Sequence, residues 1–230
     1  MKPTKEYNGR SRIRMYNCDC MDLMKTGSWD LAIVDPPYGI GASNIMKYTS
    51  AKFTEYKRKN WDNNIPSKNY FSELVSVSKN QIIWGGNYFT NLLPVSPKWV
   101  VWDKKIAKGM NLSSHELAWT SFKSAKETMY RQSASWANGG DSKNTANRRE
   151  DRKRLGRIHP TQKPVKLYKW LLTNYAKEGD TILDTHGGSL SIAIACWDLG
   201  FDLDVCELDN DYFNDAVKRF ENHISQGQLF

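Results

Sequence analysis

Asp35-Pro36-Pro37-Tyr38 combines a carboxylate, two prolines and a phenol, residue types that together could bind a planar group carrying an amine. The motif follows the apolar run Leu31-Ala32-Ile33-Val34, which predicts a buried strand, and ligands of open α/β sheets bind where strands end. Prolines fix the backbone and lack N–H groups, so nearby carbonyls can accept hydrogen bonds from the amine while Tyr38 stacks on its ring. An ordinary proline turn with a buried tyrosine is the alternative.

A second candidate site lies between Thr181 and Glu207, where the pattern predicts a strand, a glycine-containing turn, a helix and another strand. The turn Asp184-Thr185-His186-Gly187-Gly188-Ser189 lets a ligand approach the backbone at a helix N-terminus. Glu207 lies 23 residues after Asp184, a spacing at which an acid can bind both hydroxyls of a ribose. The G-x-G-x-x-G spacing of dinucleotide-binding oxidoreductases is absent, so the turn favours an adenosine ligand without a pyrophosphate. A capped βαβ unit without a ligand is the alternative.

The apolar pattern alternates between strands and helices, which predicts an α/β protein with a doubly wound, mostly parallel sheet. Predicted strands cover Arg12–Tyr16, Asp30–Val34, Gln81–Trp84, Lys98–Trp102, His115–Thr120, Thr181–Leu183 and Asp202–Cys206. Predicted helices run from a Ser67 cap to about Lys79, over Lys166–Ala176 and Leu190–Leu199, and from an Asp209 cap to Phe220. Two polar stretches, residues 41–64 and 134–156, interrupt the pattern, and we expect a bound partner to order them.

The formal charge of +8 is unevenly distributed along the chain. Residues 98–169 hold 17 basic and 6 acidic side chains, whereas acidic residues outnumber basic ones by three in the remainder. No amphipathic apolar stripe accompanies the basic residues, so this asymmetry predicts nucleic acid rather than a membrane as the partner. The predicted phosphate-binding residues form the densest basic run and are Arg148, Arg149, Arg152, Lys153, Arg154 and Arg157.

The length of 230 residues predicts one domain, or one domain with an inserted lobe. No apolar run approaches transmembrane length and the N-terminal residues lack an apolar signal region, so we expect a cytoplasmic protein. The four cysteines lack the C-x-x-C spacing of zinc sites, so we expect reduced thiols and no metal. They are Cys18, Cys20, Cys196 and Cys206.

His159-Pro160-Thr161-Gln162-Lys163-Pro164 is a further proline-stiffened turn, placed between the two candidate sites. The three motifs, in this order and with a basic insert between the first two, resemble those of S-adenosylmethionine-dependent DNA amino-methyltransferases of the beta group. The resemblance covers about Arg12 to Phe220 and is closest to compact, phage-borne members. It implies a Rossmann-like methyltransferase fold, a single domain of residues 1–230, and a target-recognition region inserted at residues 104–158.

The resemblance also implies a role for each motif. Asp35 and the Pro36 carbonyl would hold the exocyclic amine of the target base, with Pro37 stiffening the turn and Tyr38 stacking on the base. Asp19 would approach the adenine ring of the cofactor, although a loop cap is an equally good interpretation. The implied cofactor-binding residues are Asp19, Asp35, Thr161, Gln162, Lys163, Asp184, Gly188, Ser189 and Glu207.

The implied reaction is transfer of a methyl group from S-adenosylmethionine to the exocyclic amine of adenine in double-stranded DNA, by direct in-line displacement after base flipping and without a metal. Asp35 favours adenine, because family members with serine at this position lean towards cytosine. Methylation of cytosine N4, methylation of RNA, and a DNA-binding module with a decayed cofactor site are the alternatives. The protein would act as a monomer or a homodimer, with or without a partner restriction enzyme.

The cofactor turn departs from the family pattern, which begins Asp-Pro-Phe and contains a second glycine before its serine or threonine. Thr185 and His186 replace Pro-Phe, and Leu190 occupies the position of the second glycine. We expect His186 to be a polar replacement for a stacking phenylalanine rather than a base. We expect the side chain of Leu190 to affect how closely the start of the helix approaches the ligand.

Overall fold

The computed structural model describes residues 1–41, 62–106, 113–123, 128–132, 158 and 161–226. Within these residues, the strands are Lys5–Asn8 (β1), Arg12–Tyr16 (β2), Trp29–Val34 (β3), Ser78–Trp84 (β4), Trp99–Asp103 (β5), His115–Thr120 (β6), Met129–Arg131 (β7), Thr181–Asp184 (β8) and Asp202–Cys206 (β9). The α-helices are Cys20–Met24 (α1), Lys68–Val77 (α2), Val165–Tyr175 (α3), Ser191–Leu199 (α4) and Asn210–Gln226 (α5), and a 3₁₀ turn covers Gly86–Tyr88.

All nine described strands belong to one sheet, in the order β1-β2-β9-β8-β3-β4-β6-β5-β7. The five strands from β2 to β4 in this order are parallel to one another, with Leu31 opposite Ile182 and Ile33 opposite Ile82. Parallel strands are buried on both faces, which explains the nearly continuous apolar sequence of β3. The predicted doubly wound, mostly parallel sheet is therefore confirmed.

A hydrophobic core lies on each face of the sheet. On one face, α3, α4 and α5 pack over strand residues that include Ile33 and Ile182. On the opposite face, α1 and α2 pack over Val34 and Leu183, the next residues along the same strands. Successive side chains of a strand point to opposite faces, so the central strands are enclosed between two layers of helices. This arrangement leaves the strand ends as the place where a ligand can enter.

The sheet becomes antiparallel at β6, which lies between β4 and β5 and runs opposite to both. The sequence predicts β5 and β6 but not the edge strands β1 and β7, whose side chains are mostly exposed and show no apolar alternation. Both β6 and β7 fall within residues 104–158, so part of the predicted insert contributes strands to the sheet. Most of that insert, and most of the polar stretch 41–64, lies outside the described residues.

Two predicted helix starts are confirmed by capping side chains. Ser67 Oγ accepts a hydrogen bond from the Tyr70 N–H at 3.3 Å, and Asp209 Oδ1 accepts one from the Tyr212 N–H at 3.0 Å. The prediction that the helix after Ser67 reaches Lys79 is wrong, because β4 already begins at Ser78. None of the described helices is long and apolar enough to cross a membrane.

Candidate active site

A cleft of about 1080 Å³ opens at the carboxyl ends of the parallel strands, and its wall is formed by the residues that follow β2, β3, β8 and β9. Because parallel strands end at the same edge of a sheet, motifs far apart in the sequence meet there. The predicted site residues in this wall are Asp19, Asp35, Pro36, Pro37, Tyr38, Thr161, Gln162, Lys163, Gly188, Ser189 and Glu207. The structure thus brings the first motif and the cofactor turn into one cleft.

Asp62 clamps the turn that carries the first motif. Its Oδ1 accepts hydrogen bonds from the Tyr38 N–H at 2.6 Å and the Gly39 N–H at 3.0 Å, and its side chain is 1% exposed. A buried carboxylate that accepts two backbone donors fixes their direction, so Asp62 holds the backbone immediately after the prolines. The sequence does not single out Asp62, because it lies in a polar stretch without a recognisable motif.

Tyr38 rests against the end of β4. Its ring stacks on Tyr88 with centroids 5.1 Å apart and an interplanar angle of 16°. Gly85 has a φ of 69°, and a Cβ atom there would lie 2.2 Å from Cε1 of Tyr38, so the glycine makes room for the ring. Burial, followed by the nearby Asp35 carboxylate, raises the pKa of Tyr38 well above its usual value. The phenol is therefore neutral and donates a hydrogen bond of 2.6 Å to Asp35 Oδ1.

Lys163 connects the segment at residues 161–164 to Asp35. Its Nζ lies 2.6 Å from Asp35 Oδ1 and 3.1 Å from Glu116 Oε2. Burial alone would lower the pKa of Lys163, but the carboxylates of Asp35 and Glu116 outweigh burial and raise it above its usual value. The structure therefore places Lys163 at the acid of the first motif. Its predicted contact with the methionine end of a cofactor stays a prediction, and Glu116 is a site residue that no sequence motif indicates.

Glu207 ties the cofactor turn to the end of β9. Its Oε2 accepts a hydrogen bond from the Gly188 N–H at 2.8 Å, and its Oε1 accepts one from the Asp209 N–H at 2.8 Å. Each carboxylate oxygen can accept more than one hydrogen bond. The acid that the sequence spacing selects is thus oriented by backbone N–H groups of the cofactor turn and of the segment that follows β9.

Leu190 adopts the backbone conformation that a glycine would give. Its φ of 54° and ψ of 31° are left-handed, and its side chain is buried in the core. A left-handed conformation costs a non-glycine residue roughly 1–2 kcal/mol, so packing of the leucine side chain must offset the strain. Arg219 from α5 supports the same turn, because its Nη1 donates a hydrogen bond of 2.6 Å to the Ser189 carbonyl. The helix start therefore keeps a glycine-like path.

His186 is a neutral ring in the cleft wall. Burial lowers its pKa to about 4, and its Nδ1 lies 2.9 Å from Thr185 Oγ1. Its ring packs edge-on against Tyr70, with centroids 5.4 Å apart. These are the contacts of a packed aromatic ring, and they agree with the interpretation of His186 as a polar replacement for phenylalanine.

Asp19 and Gln162 also bind backbone groups of this region. Asp19 Oδ1 accepts a hydrogen bond of 2.8 Å from the Met21 N–H and caps α1, which is the alternative role considered from the sequence. Gln162 Oε1 accepts one of 3.1 Å from the Ile158 N–H. Both side chains, together with Thr161, line the cleft. Their predicted contacts with a cofactor stay predictions.

Asp184 is the predicted site residue that does not line the cleft, because it is fully buried behind the turn. Its Oδ1 accepts a hydrogen bond of 3.0 Å from the His186 N–H, while its Oδ2 has no partner among the described residues. The pKa of Asp184 is raised to about 8, chiefly by burial. The hydrogen bond from the His186 N–H lowers the pKa, whereas the charges of Asp35 and Glu207 raise it. The carboxyl is therefore mostly protonated at neutral pH.

Asp184→Asn should stabilise the protein increasingly as the pH rises. Between the usual pKa near 3.8 and the folded value of about 8, only the folded state keeps the proton on Asp184, so folding becomes less favourable with rising pH. Asparagine is neutral throughout, so the difference in free energy of unfolding should widen by about 1.4 kcal/mol per pH unit between pH 5 and 7. Urea unfolding of both proteins measures it, with exposed Asp215→Asn as the control; a constant difference would contradict the assignment.

Other predicted features are only partly covered by the structure. The six basic residues predicted to bind phosphates, Arg148, Arg149, Arg152, Lys153, Arg154 and Arg157, lie outside the described residues. The four cysteines are free thiols. Among the described residues, no three histidine, cysteine or acidic side chains form a group that could hold a metal ion.

Residues 97–218 match the model of a DNA methylase family, N6_N4_Mtase. M1.HpyAVI, solved in complex with S-adenosylmethionine, is 18% identical with a TM-score of 0.58, and the match covers 90% of this chain and 98% of that one. The PvuII DNA methyltransferase, described as cytosine-N4-specific, is 13% identical with a TM-score of 0.58, over 93% and 90% of the two chains. TTHA0409 from Thermus thermophilus, named as a candidate DNA modification methylase, is 15% identical with a TM-score of 0.52, over 92% and 95%.

Similarity to solved structures at these identities shows a shared fold, and a comparison with curated protein sequences finds no match. The family model covers more than half of the chain and contains both the turn at residues 159–164 and the cofactor turn, although Asp35 lies before its start. The family uses S-adenosylmethionine, so the predicted cofactor is confirmed. The match to the family model shows that the chain belongs to the N6_N4_Mtase family of DNA methylases and is an S-adenosylmethionine-dependent DNA methyltransferase.

Proposed function

We propose that this protein is a site-specific methyltransferase that acts on the exocyclic amine of adenine in double-stranded DNA. The observation that carries the proposal is the single cleft lined by Asp35 and its proline turn on one side and by Gly188 and Glu207 on the other. Methyl transfer needs a donor and an acceptor aligned within one site, and positioning can supply most of the catalysis. A cleft shared by an amine-binding motif and a ribose-binding motif meets that need.

On the cofactor side, Glu207 would accept hydrogen bonds from the ribose hydroxyls of S-adenosylmethionine. Its carboxylate is oriented for this by the Gly188 and Asp209 N–H groups, both at 2.8 Å. Gly188 and Ser189 would border the ribose and methionine, because the turn has no bulky side chain in the cleft wall at Gly188. When bound, S-adenosylmethionine would supply an electrophilic methyl group: its S–C bond breaks and leaves the electron pair on sulfur, and the lone pair of the amine forms the new N–C bond. The methylated nitrogen then releases one proton to solvent.

On the target side, Asp35 and the Pro36 carbonyl would accept one hydrogen bond each from the amine. An aromatic amine is a poor nucleophile because its lone pair is delocalised into the ring. Two acceptors placed to one side favour a tetrahedral nitrogen, whose localised lone pair points at the methyl group. Pro37 and the Asp62 clamp keep the acceptors in place, since Asp62 fixes the backbone of Tyr38.

A base inside a duplex is out of reach of such a cleft, so the target would be flipped out of the helix. The ring of Tyr38 would then replace the lost stacking by packing against the flipped base. Basic residues of the 148–157 run would hold the flanking phosphates, which positions the duplex without reading its sequence. Polar residues of the 104–158 region would read the base edges.

Cytosine N4 is the second candidate target, since a structure with the same fold is described as a cytosine-N4-specific enzyme. Both amines are NH2 groups attached to a ring carbon, so each can donate its two hydrogen bonds to the same two acceptors. The resemblance favours adenine, because members of this group with aspartate as the first residue of the motif lean towards adenine.

The test is to identify methylated nucleosides in DNA from cells that express the protein, with cells expressing Asp35→Ala as the control. We expect N6-methyladenine at one sequence context in the wild type and none in the control. N4-methylcytosine instead would contradict adenine as the target but retain amine methylation. The absence of both, in cells that contain folded protein, would contradict the proposed function.

A further inference from the structure

Four charged side chains of alternating sign lead from the edge of the predicted insert to Asp35. Lys104 Nζ lies 2.5 Å from Glu116 Oε1, and Glu116 Oε2 lies 3.1 Å from Lys163 Nζ. Lys163 Nζ lies in turn 2.6 Å from Asp35 Oδ1. The Lys163 side chain is 4% exposed, so its ammonium depends on these two carboxylates for the interactions that water would otherwise provide.

The path of β6 explains how Glu116 reaches this position. β6 is antiparallel to β4, with Ala118 opposite Trp84, so the first residues of β6 extend beyond the carboxyl end of β4. Glu116 therefore overhangs the cleft, whose wall it helps to form. A parallel strand would place its carboxyl end there instead, so the position of Glu116 follows from the change of strand direction.

Among the described residues, the polar contacts to Asp35 are made with one of its two carboxylate oxygens. Lys163 Nζ and the Tyr38 hydroxyl both contact Oδ1, at 2.6 Å each. Oδ2 is thus the oxygen that remains for an incoming amine. Lys163 Nζ also lies 5.2 Å from the centroid of the Trp84 ring, and it donates a hydrogen bond of 3.2 Å to the Tyr38 hydroxyl.

We propose that Glu116 is a positioning residue for methyl transfer: by holding Lys163, it keeps the Lys163 ammonium on Oδ1 of Asp35 and leaves Oδ2 for the target amine. This inference rests on the proposed function and adds to it two residues that the amine does not touch. Both charges are maintained in the folded protein. Burial would raise the pKa of Glu116, but Lys163 and Lys104 outweigh burial and lower it.

Without Glu116, the ammonium of Lys163 keeps, among the residues that the structure describes, its contacts with Asp35 Oδ1 and the Tyr38 hydroxyl. Its three N–H donors can then spread over both Asp35 oxygens. The amine would have to compete with Lys163 for Oδ2, and the acceptor would lose its fixed direction. Methyl transfer should slow, whereas the cofactor side of the cleft should be unaffected.

The experiment compares wild type, Glu116→Gln, Lys163→Met and the double variant, with exposed Glu178→Gln as the matched control. We expect Glu116→Gln to lower kcat about tenfold and Lys163→Met about a hundredfold, since small misplacement of a reacting group has effects of this size. The affinity for S-adenosylmethionine, measured by calorimetry, should stay unchanged in Glu116→Gln. The double variant should be no slower than Lys163→Met, because Glu116 acts through Lys163.

Two results of the activity assay would overturn the proposal. The first is an unchanged kcat for Glu116→Gln in a preparation whose wild type is active. The second is a double variant whose loss is the product of the two single losses. If Glu116→Gln does not fold, Glu116→Asp, whose shorter side chain moves the carboxylate away from Lys163, should still lower kcat, and an unchanged kcat in that variant would overturn the proposal. A wild type without methylation activity would contradict the proposed function instead.

Urea unfolding of the same four proteins tests the contact without methyl transfer. A Glu116–Lys163 ion pair makes the two substitutions non-additive in their effects on the free energy of unfolding. Additive effects would show that the pair does not form, and would overturn the proposal independently of the activity assay.

Discussion

Asp35→Ala is expected to lower kcat for DNA methylation by about a thousandfold or more, because it removes an acceptor that acts directly on the reacting amine. The affinity for S-adenosylmethionine is expected to change by less than about threefold, since no hydrogen bond to the cofactor side is lost. The resemblance also implies that Asp35 borders the cofactor, and calorimetry measures that contribution separately. Single-turnover assays with saturating DNA and cofactor measure the rate loss.

The variant should remain folded despite the buried charge that it leaves. Removing one member of a buried ion pair usually costs several kcal/mol, because the other charge loses its partner. Here Lys163 keeps Glu116 at 3.1 Å, so its ammonium stays paired. Asp215→Ala, an exposed position on α5, is the matched control and should keep full activity. Turnover of Asp35→Ala within tenfold of the wild type would refute the assigned role.

Glu207→Gln is expected to weaken S-adenosylmethionine binding by about 10- to 100-fold, because hydrogen bonds to a charged acceptor contribute more than those to a neutral one. The change also weakens the two backbone contacts that orient the side chain, at Gly188 and Asp209. Calorimetry measures the dissociation constant, and the rate at saturating cofactor should fall much less than the affinity. Glu178→Gln serves as the control of the same chemistry at an exposed position.

A cofactor analogue without ribose hydroxyls separates the two effects of this substitution. If Glu207 binds the hydroxyls, the wild type should bind the deoxy analogue weakly, and Glu207→Gln should weaken it little further. If Glu207 only supports the turn, the substitution should weaken the parent compound and the analogue by the same factor. That second result would contradict the ribose assignment.

The central part of the fold could be predicted from the sequence because each element there has a strong local signal. Val34 ends an apolar run before prolines, Ser67 and Asp209 are capping residues, and Gly200 ends α4 in a left-handed conformation. The edges of the sheet could not be predicted, because strands such as Met129–Arg131 take their hydrogen bonds from neighbours while exposing their side chains. Their strand character therefore depends on the rest of the sheet rather than on their own sequence.

The candidate site divides in the same way. Asp35 and Glu207 could be selected because each follows a strand within a recognisable motif. Asp62 and Glu116 could not, because each acts through a partner distant in sequence: Asp62 on the Tyr38 backbone and Glu116 on Lys163. Polar side chains of this kind carry no periodicity, so only the folded chain shows which groups they meet.

Leu190 has a consequence for how the cofactor turn can respond to a ligand. A loop that becomes ordered on binding loses backbone entropy worth about 1–2 kcal/mol per residue, and that loss weakens affinity. Here the leucine side chain is part of the main hydrophobic core, so the turn acquires its shape when the chain folds. Ligand affinity and the integrity of the core are therefore thermodynamically linked. A substitution that loosens packing around Leu190 would leave the turn to become ordered when the ligand binds, and the entropy lost in ordering it would then weaken affinity.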